Sequence, residues 1–307
     1  MTFPRPLLLE SVGRPETALN VLTVPKAGDG PSFCEVVFSA FDGSRGRCTI
    51  QLVTKDWPKT STQITPELVR ALRDARRITV LSGAGISAES GVPTFRDALT
   101  GLWSNFKPEE LATPEAFKRN PRLVWEWYAW RRELVTKVQP NPGHLALVEL
   151  EKHVPHFTLI TQNVDGLHQR AGSRNVIELH GNISRTKCFE ENVVVEKWEE
   201  TGDAPPRCPR CGGPLRPDVV WFNENLPEDA IEKSITASRN CDVFLSIGTS
   251  SQVYPAASLP FEALNAGATV VEINPDSTPL TPKADFALRG ASGVILPELV
   301  DSVWRRP

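Results

Sequence analysis

Residues 78–97, ITVLSGAGISAESGVPTFRD, carry the densest chemical signal in the chain. The apolar, β-rich run Ile78, Thr79, Val80 and Leu81 leads into Gly83 and Gly85, which let the backbone turn sharply at the strand's end. Such a turn, followed by a helix start, gathers backbone N–H groups and a positive dipole end, and so suits a phosphate or pyrophosphate. Gly83, Gly85 and Ala88 fit the G-x-G-x-x-[GA] pattern of dinucleotide sites, which on its own is a common pattern. A hydride-transferring enzyme of that kind would run on to a second strand with an acidic residue about 20 positions later. Here Pro93 breaks the pattern, and Phe95, Arg96 and Asp97 stand in a loop able to fold back over the phosphate end.

Cys188, Cys208 and Cys211 cluster in the manner of a metal knuckle rather than a disulfide framework. His180, followed by Gly181, offers an imidazole that titrates near neutral pH and can take a proton from a hydroxyl; the plainer reading is a structural histidine before a turn.

The elements that must position these groups are legible as pattern. Thr65-Pro66-Glu67 is an N-cap with a first-turn proline and acid, and Leu68, Val69, Leu72 and Ala75 give the helix behind it one apolar face. Asn120 and Pro121 start a second, aromatic helix, on which Val124, Tyr128, Arg131 and Val135 share a face. Apolar strand candidates at 157–161, 176–179, 242–247 and 268–273 alternate with helix-length segments. The fold class is therefore α/β, a doubly wound, mostly parallel sheet. Ligands in such sheets lie beyond the carboxyl ends of the strands, where GAG, QN, GTS and INP all fall.

The stretch from Ile78 to Asp97 resembles the signature of the sirtuins, the NAD-dependent protein deacylases. TQNVDGLH (161–168), ELHGN (178–182), DVVWF (218–222), GTS (248–250) and INP (273–275) follow in that family's order, so the resemblance runs from about Thr65 to the C-terminus. It implies a Rossmann-like core with a smaller inserted subdomain of zinc-ribbon type. It also implies that Gly83, Ala84, Gly85, Phe95 and Arg96 hold and cover the diphosphate of NAD. Gly248, Thr249, Ser250 and Asn274 would serve the adenosine half, and Gln162, Asn163 and Asp165 the nicotinamide ribose and carboxamide. Outside the family context, Asn163 and Asp165 would simply be turn builders.

In the reaction the resemblance implies, the acyl-lysine amide oxygen attacks the anomeric carbon of NAD as nicotinamide leaves, giving an alkylamidate. His180 then activates the ribose hydroxyl that attacks it, with Asn163 and Asp165 as catalytic companions. The products are free lysine, nicotinamide and O-acyl-ADP-ribose. Val220, Trp221 and Phe222 match the strand that pairs with the acyl-lysine protein or peptide substrate by β-augmentation. Asn223 departs from the family, which has glycine there.

Two further features follow from the resemblance. Tyr128 and Arg131 match the pair found in the acyl pocket of sirtuins that remove succinyl, malonyl and glutaryl groups. An arginine in an apolar pocket can form a charge-assisted, bidentate contact with a distal carboxylate, and a tyrosine hydroxyl adds a donor. The alternative is that Tyr128 packs and Arg131 reaches solvent. The family's structural zinc uses two Cys-x-x-Cys pairs; here the second is intact at Cys208 and Cys211, and the first is Cys188 and Glu191. Zinc held with Glu191, zinc held by three thiolates and water, and a metal-free subdomain all remain open.

The first 62 residues lie outside the resemblance, and the catalytic domain is expected over 63–307, with small-subdomain insertions near 97–140 and 183–217. In the extension, 33–41 and 47–53 are rich in β-formers around a DGSRG turn and predict a hairpin. Symmetry about that turn does not set Cys34 opposite Cys48. The formal net charge of -3 gives no chain-wide attraction for nucleic acid or anionic membrane. No apolar run approaches the ~20 residues of a membrane helix, and neither a secretory signal nor a mitochondrial presequence is legible, so the cytoplasm is the expected location. The competing functions are a simple deacetylase, an NAD glycohydrolase or ADP-ribosyltransferase, and a non-catalytic NAD or ADP-ribose binding module. Oligomeric state is not legible.

Overall fold

A computed structural model describes residues 64–93, 107–199 and 202–305, together with three backbone strands within residues 24–54. Phe95 and Arg96 lie outside the described residues. Contacts divide the chain into a unit Met1–Lys59 and a unit Thr60–Pro307. In the first, β1 (Val24–Pro25), β2 (Phe33–Asp42) and β3 (Arg47–Thr54) form an antiparallel sheet in that order, so the expected hairpin is present. Its register pairs Cys34 with Thr54 and Phe41 with Cys48, and the two cysteines are not opposite one another.

The second unit begins with α1 (Pro66–Asp74), β4 (Arg77–Ser82) and the short α2 (Ala84–Ala88). Then come α3 (Pro108–Leu111), α4 (Pro114–Arg119), α5 (Pro121–Lys137), α6 (Pro142–His153), β5 (His156–Thr161), α7 (Leu167–Ala171) and β6 (Val176–Glu178). An antiparallel pair, β7 (Gly181–Cys188) and β8 (Leu215–Val219), precedes α8 (Glu228–Arg239) and β9 (Val243–Ile247). The chain closes with α9 (Leu259–Asn265), β10 (Thr269–Ile273), β11 (Phe286–Leu288) and α10 (Ser292–Trp304).

The helices start where polar caps meet an apolar face. Thr65 Oγ1 accepts the Leu68 N–H at α1, and Asn120 Oδ1 accepts the Leu123 N–H at α5. Leu68 and Leu72 of α1 are fully buried with Leu147 and Leu150 of α6 and Leu296 and Leu299 of α10 against one face of the central sheet. Leu259 and Ala263 of α9 cover the other face, with Ile231 and Ile235 of α8 beside them. The sheet between is parallel throughout, in the order β11-β10-β9-β4-β5-β6, as the doubly wound reading requires. β11 is the strand that the sequence pattern does not reveal, because FAL is too short to show a period. Among the described residues no helix is long and apolar enough to cross a membrane.

The strand order reverses between β4 and β9, and there the loops that follow the two strands are pressed together. Gly85 N–H donates to the Gly248 carbonyl at 2.8 Å, and a Cβ on Gly85 would lie 2.7 Å from Gly248 Cα. Gly248 has φ +59°, and a Cβ there would meet the Ile86 nitrogen at 2.6 Å. Gly267 has φ +87° with nothing within 4 Å of an added Cβ. Gly248→Ala is therefore expected to cost about 3 kcal/mol of stability from strain plus clash, and Gly267→Ala only about 1 kcal/mol from its left-handed backbone. Chemical unfolding of the two variants checks this; equal losses would mean that the loops can move apart without penalty.

Candidate active site

At the carboxyl edge of the sheet, the loop after β5 ties the other loops together. Asn163 Nδ2 donates to the Gly83 carbonyl at 3.0 Å and to Ser87 Oγ at 3.1 Å. Gln162 Nε2 donates to Thr249 Oγ1 at 3.1 Å, and Asn274 Nδ2 to the Thr249 carbonyl at 3.1 Å. The structure thus brings Gly83, Ala84, Gly85, Gln162, Asn163, Gly248, Thr249 and Asn274 into one rim, with Ala84 and Ser250 exposed on it. One expectation is corrected. The N–H groups of Gly83 and Gly85 point into the fold, to the Ile247 and Gly248 carbonyls, rather than outward as an anion cradle. Those glycines are needed for close backbone approach, and α2, five residues long, adds little dipole.

Asp165 is buried, accepts the Leu167 N–H at 2.9 Å, and has its carboxyl pKa raised by burial against the opposing charges of Arg131 and Arg170. His180 follows β6 and sits beside this loop. Its Nδ1–H donates to the Gln162 carbonyl at 2.9 Å, because a carbonyl can only accept, so a neutral ring keeps its Nε2 lone pair free. Burial lowers the His180 pKa and the bond to Gln162 partly offsets that, which favours the neutral, basic form. Gly181 does more than mark a turn: at φ +77°, a Cβ there would lie 2.2 Å from the Asp218 carbonyl. The glycine lets β8 cross directly behind His180.

Tyr128 and Arg131 stand on the buried side of α5 in an aromatic cluster with Trp127, Phe117 and Trp221. Trp221 Nε1–H donates to Tyr128 Oη at 3.0 Å, which leaves the phenol proton to point elsewhere. Burial pushes the Tyr128 pKa up to about 12, so the phenol stays protonated. The Arg131 guanidinium lies 5.0 Å from the Trp127 ring centre and 6.0 Å from that of Tyr128. Burial lowers its pKa, opposed by Tyr128 and Asp165, so this cation is partly desolvated rather than reaching freely into water.

Val220, Trp221 and Phe222 differ from the expected strand. β8 stops at Val219, opposite Gly181, because its partner β7 begins there. The next three N–H groups are taken by the His180 carbonyl, the Glu224 carboxylate and the Ala112 carbonyl. Glu224 pairs with buried Arg216 through two contacts of 2.5 and 2.9 Å, and the Arg216 guanidinium stacks 3.2 Å from the Trp221 ring centre. Sequence reasoning missed Arg216, Glu224 and Trp127; a charged residue inside an apolar strand, as in PLRPDVV, was the available signal. Asn223 has φ +68°, so it adopts the left-handed turn that glycine would, and asparagine tolerates it best among the other residues.

β7 leads from His180 to Cys188. The Sγ atoms of Cys188, Cys208 and Cys211 and a carboxylate oxygen of Glu191 all lie within 4.8 Å of one another. The Glu191 N–H points at Cys188 Sγ and the Gly213 N–H at Cys211 Sγ, both at 3.4 Å, which suits thiolates. Glu191 also pairs with Arg210 at 2.8 Å. The donor set fits a four-coordinate zinc ion. Cys241 is buried two residues before β9, with its thiol donating to the Ser238 carbonyl at 3.1 Å.

Residues 83–255 match the Sir2 family. An NAD-dependent protein deacylase of Aquifex aeolicus is 56% identical over 225 residues, covering 73% of this chain and 94% of that protein. A Sir2 homologue solved in complex with NAD superimposes with a TM-score of 0.73 at 47% identity, covering 79% of this chain and 94% of that one. A Sir2 protein bound to a myristoylated histone peptide gives a TM-score of 0.62 at 37% identity over 78% of this chain and 95% of that one. The match runs through the glycine loop, the histidine strand and the loop after β9 alike, and the chain belongs to the Sir2 family.

Proposed function

We propose that the chain is an NAD-dependent protein-lysine deacylase that prefers acidic acyl groups such as succinyl, malonyl and glutaryl. The observation that carries the acyl preference is the Tyr128–Arg131 pair: a half-buried cation beside a phenol whose oxygen is already occupied by Trp221 Nε1–H. A phenol so occupied presents its proton, and donor plus cation match a carboxylate better than a methyl group. The deacylase names of the relatives support the general activity, and the histone-peptide complex supports acylated peptides as the substrate class.

When bound, NAD supplies a ribose carbon activated by its nicotinamide leaving group and the hydroxyls that receive the acyl group. Gln162, Asn163 and Asp165 orient that ribose and the carboxamide, and Thr249, Ser250 and Asn274 face the adenosine half. The resemblance assigns the diphosphate to Gly83, Ala84 and Gly85 together with Phe95 and Arg96, and the last two lie outside the described residues. His180 takes the ribose hydroxyl proton at Nε2, while its Nδ1–H holds the ring against the Gln162 carbonyl. The peptide lies along Val220, Trp221 and Phe222; their N–H groups are engaged and the Trp221 carbonyl already accepts the Glu224 N–H at 3.1 Å, so its pairing runs through the carbonyls of Val220 and Phe222. Cys188, Glu191, Cys208 and Cys211 would hold a structural zinc, which would fasten the end of β7 to the segment before β8.

His180→Ala is expected to keep NAD binding and lose peptide deacylation by at least about 100-fold; near-normal turnover in a folded variant would remove His180 from the mechanism. Metal analysis of the purified protein is expected to give close to one zinc per chain, and Glu191→Ala to weaken its retention against a chelator. Zinc near zero in a folded, active sample would establish the metal-free alternative. A charge-assisted bond to a desolvated carboxylate is worth about 1.5 to 3 kcal/mol, so succinyl-lysine should exceed acetyl-lysine in kcat/KM by about one to two orders of magnitude. Arg131→Met should collapse desuccinylation and leave deacetylation level or higher, with Tyr128→Phe giving a smaller loss in the same direction. Equal losses on both peptides would make the pair purely structural.

A further inference from the structure

Two buried histidines, His144 and His168, play no part in the chemistry described above. Both are essentially inaccessible, and their rings pack with centres 4.9 Å apart and planes tilted by 54°. Their protonation follows from their partners. His144 Nδ1 accepts the Asn141 N–H at 3.4 Å, so a neutral ring carries its proton on Nε2, and that atom has no partner among the described residues. His168 Nε2 lies 2.9 Å from Ser82 Oγ, whose hydroxyl donates to Thr161 Oγ1 at 2.9 Å. With Ser82's proton so used, His168 Nε2–H is the donor and His168 Nδ1 is a bare acceptor, also without a partner among the described residues. Each ring thus keeps one nitrogen without a partner among the described residues, a donor on His144 and an acceptor on His168. Burial holds both rings neutral, with pKa values lowered to about 4 and about 3.

The chain of bonds continues toward the site. Ser82 and Thr161 are register partners at the ends of β4 and β5, both buried. Thr161 Oγ1 also accepts the Asn163 N–H at 3.1 Å. That N–H belongs to the same rigid peptide plane as the Gln162 carbonyl, and the Gln162 carbonyl is the acceptor for His180 Nδ1–H at 2.9 Å. We infer that His168, backed by His144, is a positioning residue that acts through Ser82, Thr161 and the 162–163 peptide to fix the ring orientation and tautomer of His180. The relay's effect on turnover rests on the proposed role of His180 as the base; its effect on the His180 ring does not. A peptide plane held at its N–H cannot rotate its carbonyl away from His180, and a buried hydroxyl pair left without His168 would lose one of its bonds.

The test uses the full chain labelled with 15N-histidine, whose five imidazoles are few enough to assign. In the unaltered protein the His180 ring should be held as the Nδ1–H tautomer. Thr161→Val keeps a β-branched side chain of the same shape and removes only the hydroxyl, so it tests the relay even if a histidine variant fails to fold. It should give a mixture of His180 tautomers, with kcat about five- to tenfold lower and the KM for NAD within about twofold, as expected from weakening one hydrogen bond. His168→Leu should behave alike, and His168→Gln, which keeps a donor toward Ser82, should recover most of the loss. An unchanged His180 tautomer in folded Thr161→Val would overturn the relay. So would an effect confined to the KM for NAD, which would assign these residues to cofactor binding instead. Because the tautomer is read without turnover, it reports on the relay even if His180→Ala proves active.

Discussion

The contact on which the rest of the structure depends is that between two backbone turns, Gly83–Gly85 after β4 and Gly248–Thr249 after β9. Parallel strands on either side of a switch point send their chains in opposite directions, and a crevice opens between them. Here the crevice floor is closed by backbone meeting backbone, with Gly85 N–H on the Gly248 carbonyl and no room for a Cβ on either residue. Because that floor is fixed, the amides of Gln162, Asn163 and Asn274 can each reach across to a neighbouring loop at 3.0–3.1 Å. The glycines therefore matter through backbone contact. They set the depth of the crevice, and longer side chains provide its polar lining.

The same economy joins His180 to the cluster around Tyr128 and Arg131. Gly181 allows β8 to pass behind His180, and the segment after β8 carries Trp221 to Tyr128. The charges of Asp165 and Arg131 each act on the other's pKa. A desolvated arginine and a desolvated aspartate in one region favour each other's charged state. If an acidic acyl group binds beside Arg131 as proposed, it shares the cation with Asp165, and that competition limits what it gains.

Much of this was legible in the sequence, for definite physical reasons. Helix starts at Thr65 and Asn120 show because a capping side chain and a first-turn proline are local signals. The parallel core shows because strands buried on both faces read as apolar runs, as in the fully buried VFLSI of β9. The rim residues became legible only through the order of motifs, since an Asn or Asp in a loop has many uses. What stayed hidden depends on distant pairing. Arg216 and Glu224 meet across a turn, Ser82 finds Thr161 only through strand register, and β11 is three residues long. That the Gly83 and Gly85 N–H groups turn into the fold is hidden as well, because spacing does not reveal which way an N–H points.

The proposed reaction moves an acidic acyl group from lysine to the ribose of NAD. Its most direct measurement is mass spectrometry of all products after incubation of the full chain with NAD and a succinyl-lysine peptide. That reaction yields O-succinyl-ADP-ribose, nicotinamide and unmodified lysine peptide in equal amounts. Nicotinamide and ADP-ribose formed while the peptide keeps its succinyl group would contradict it.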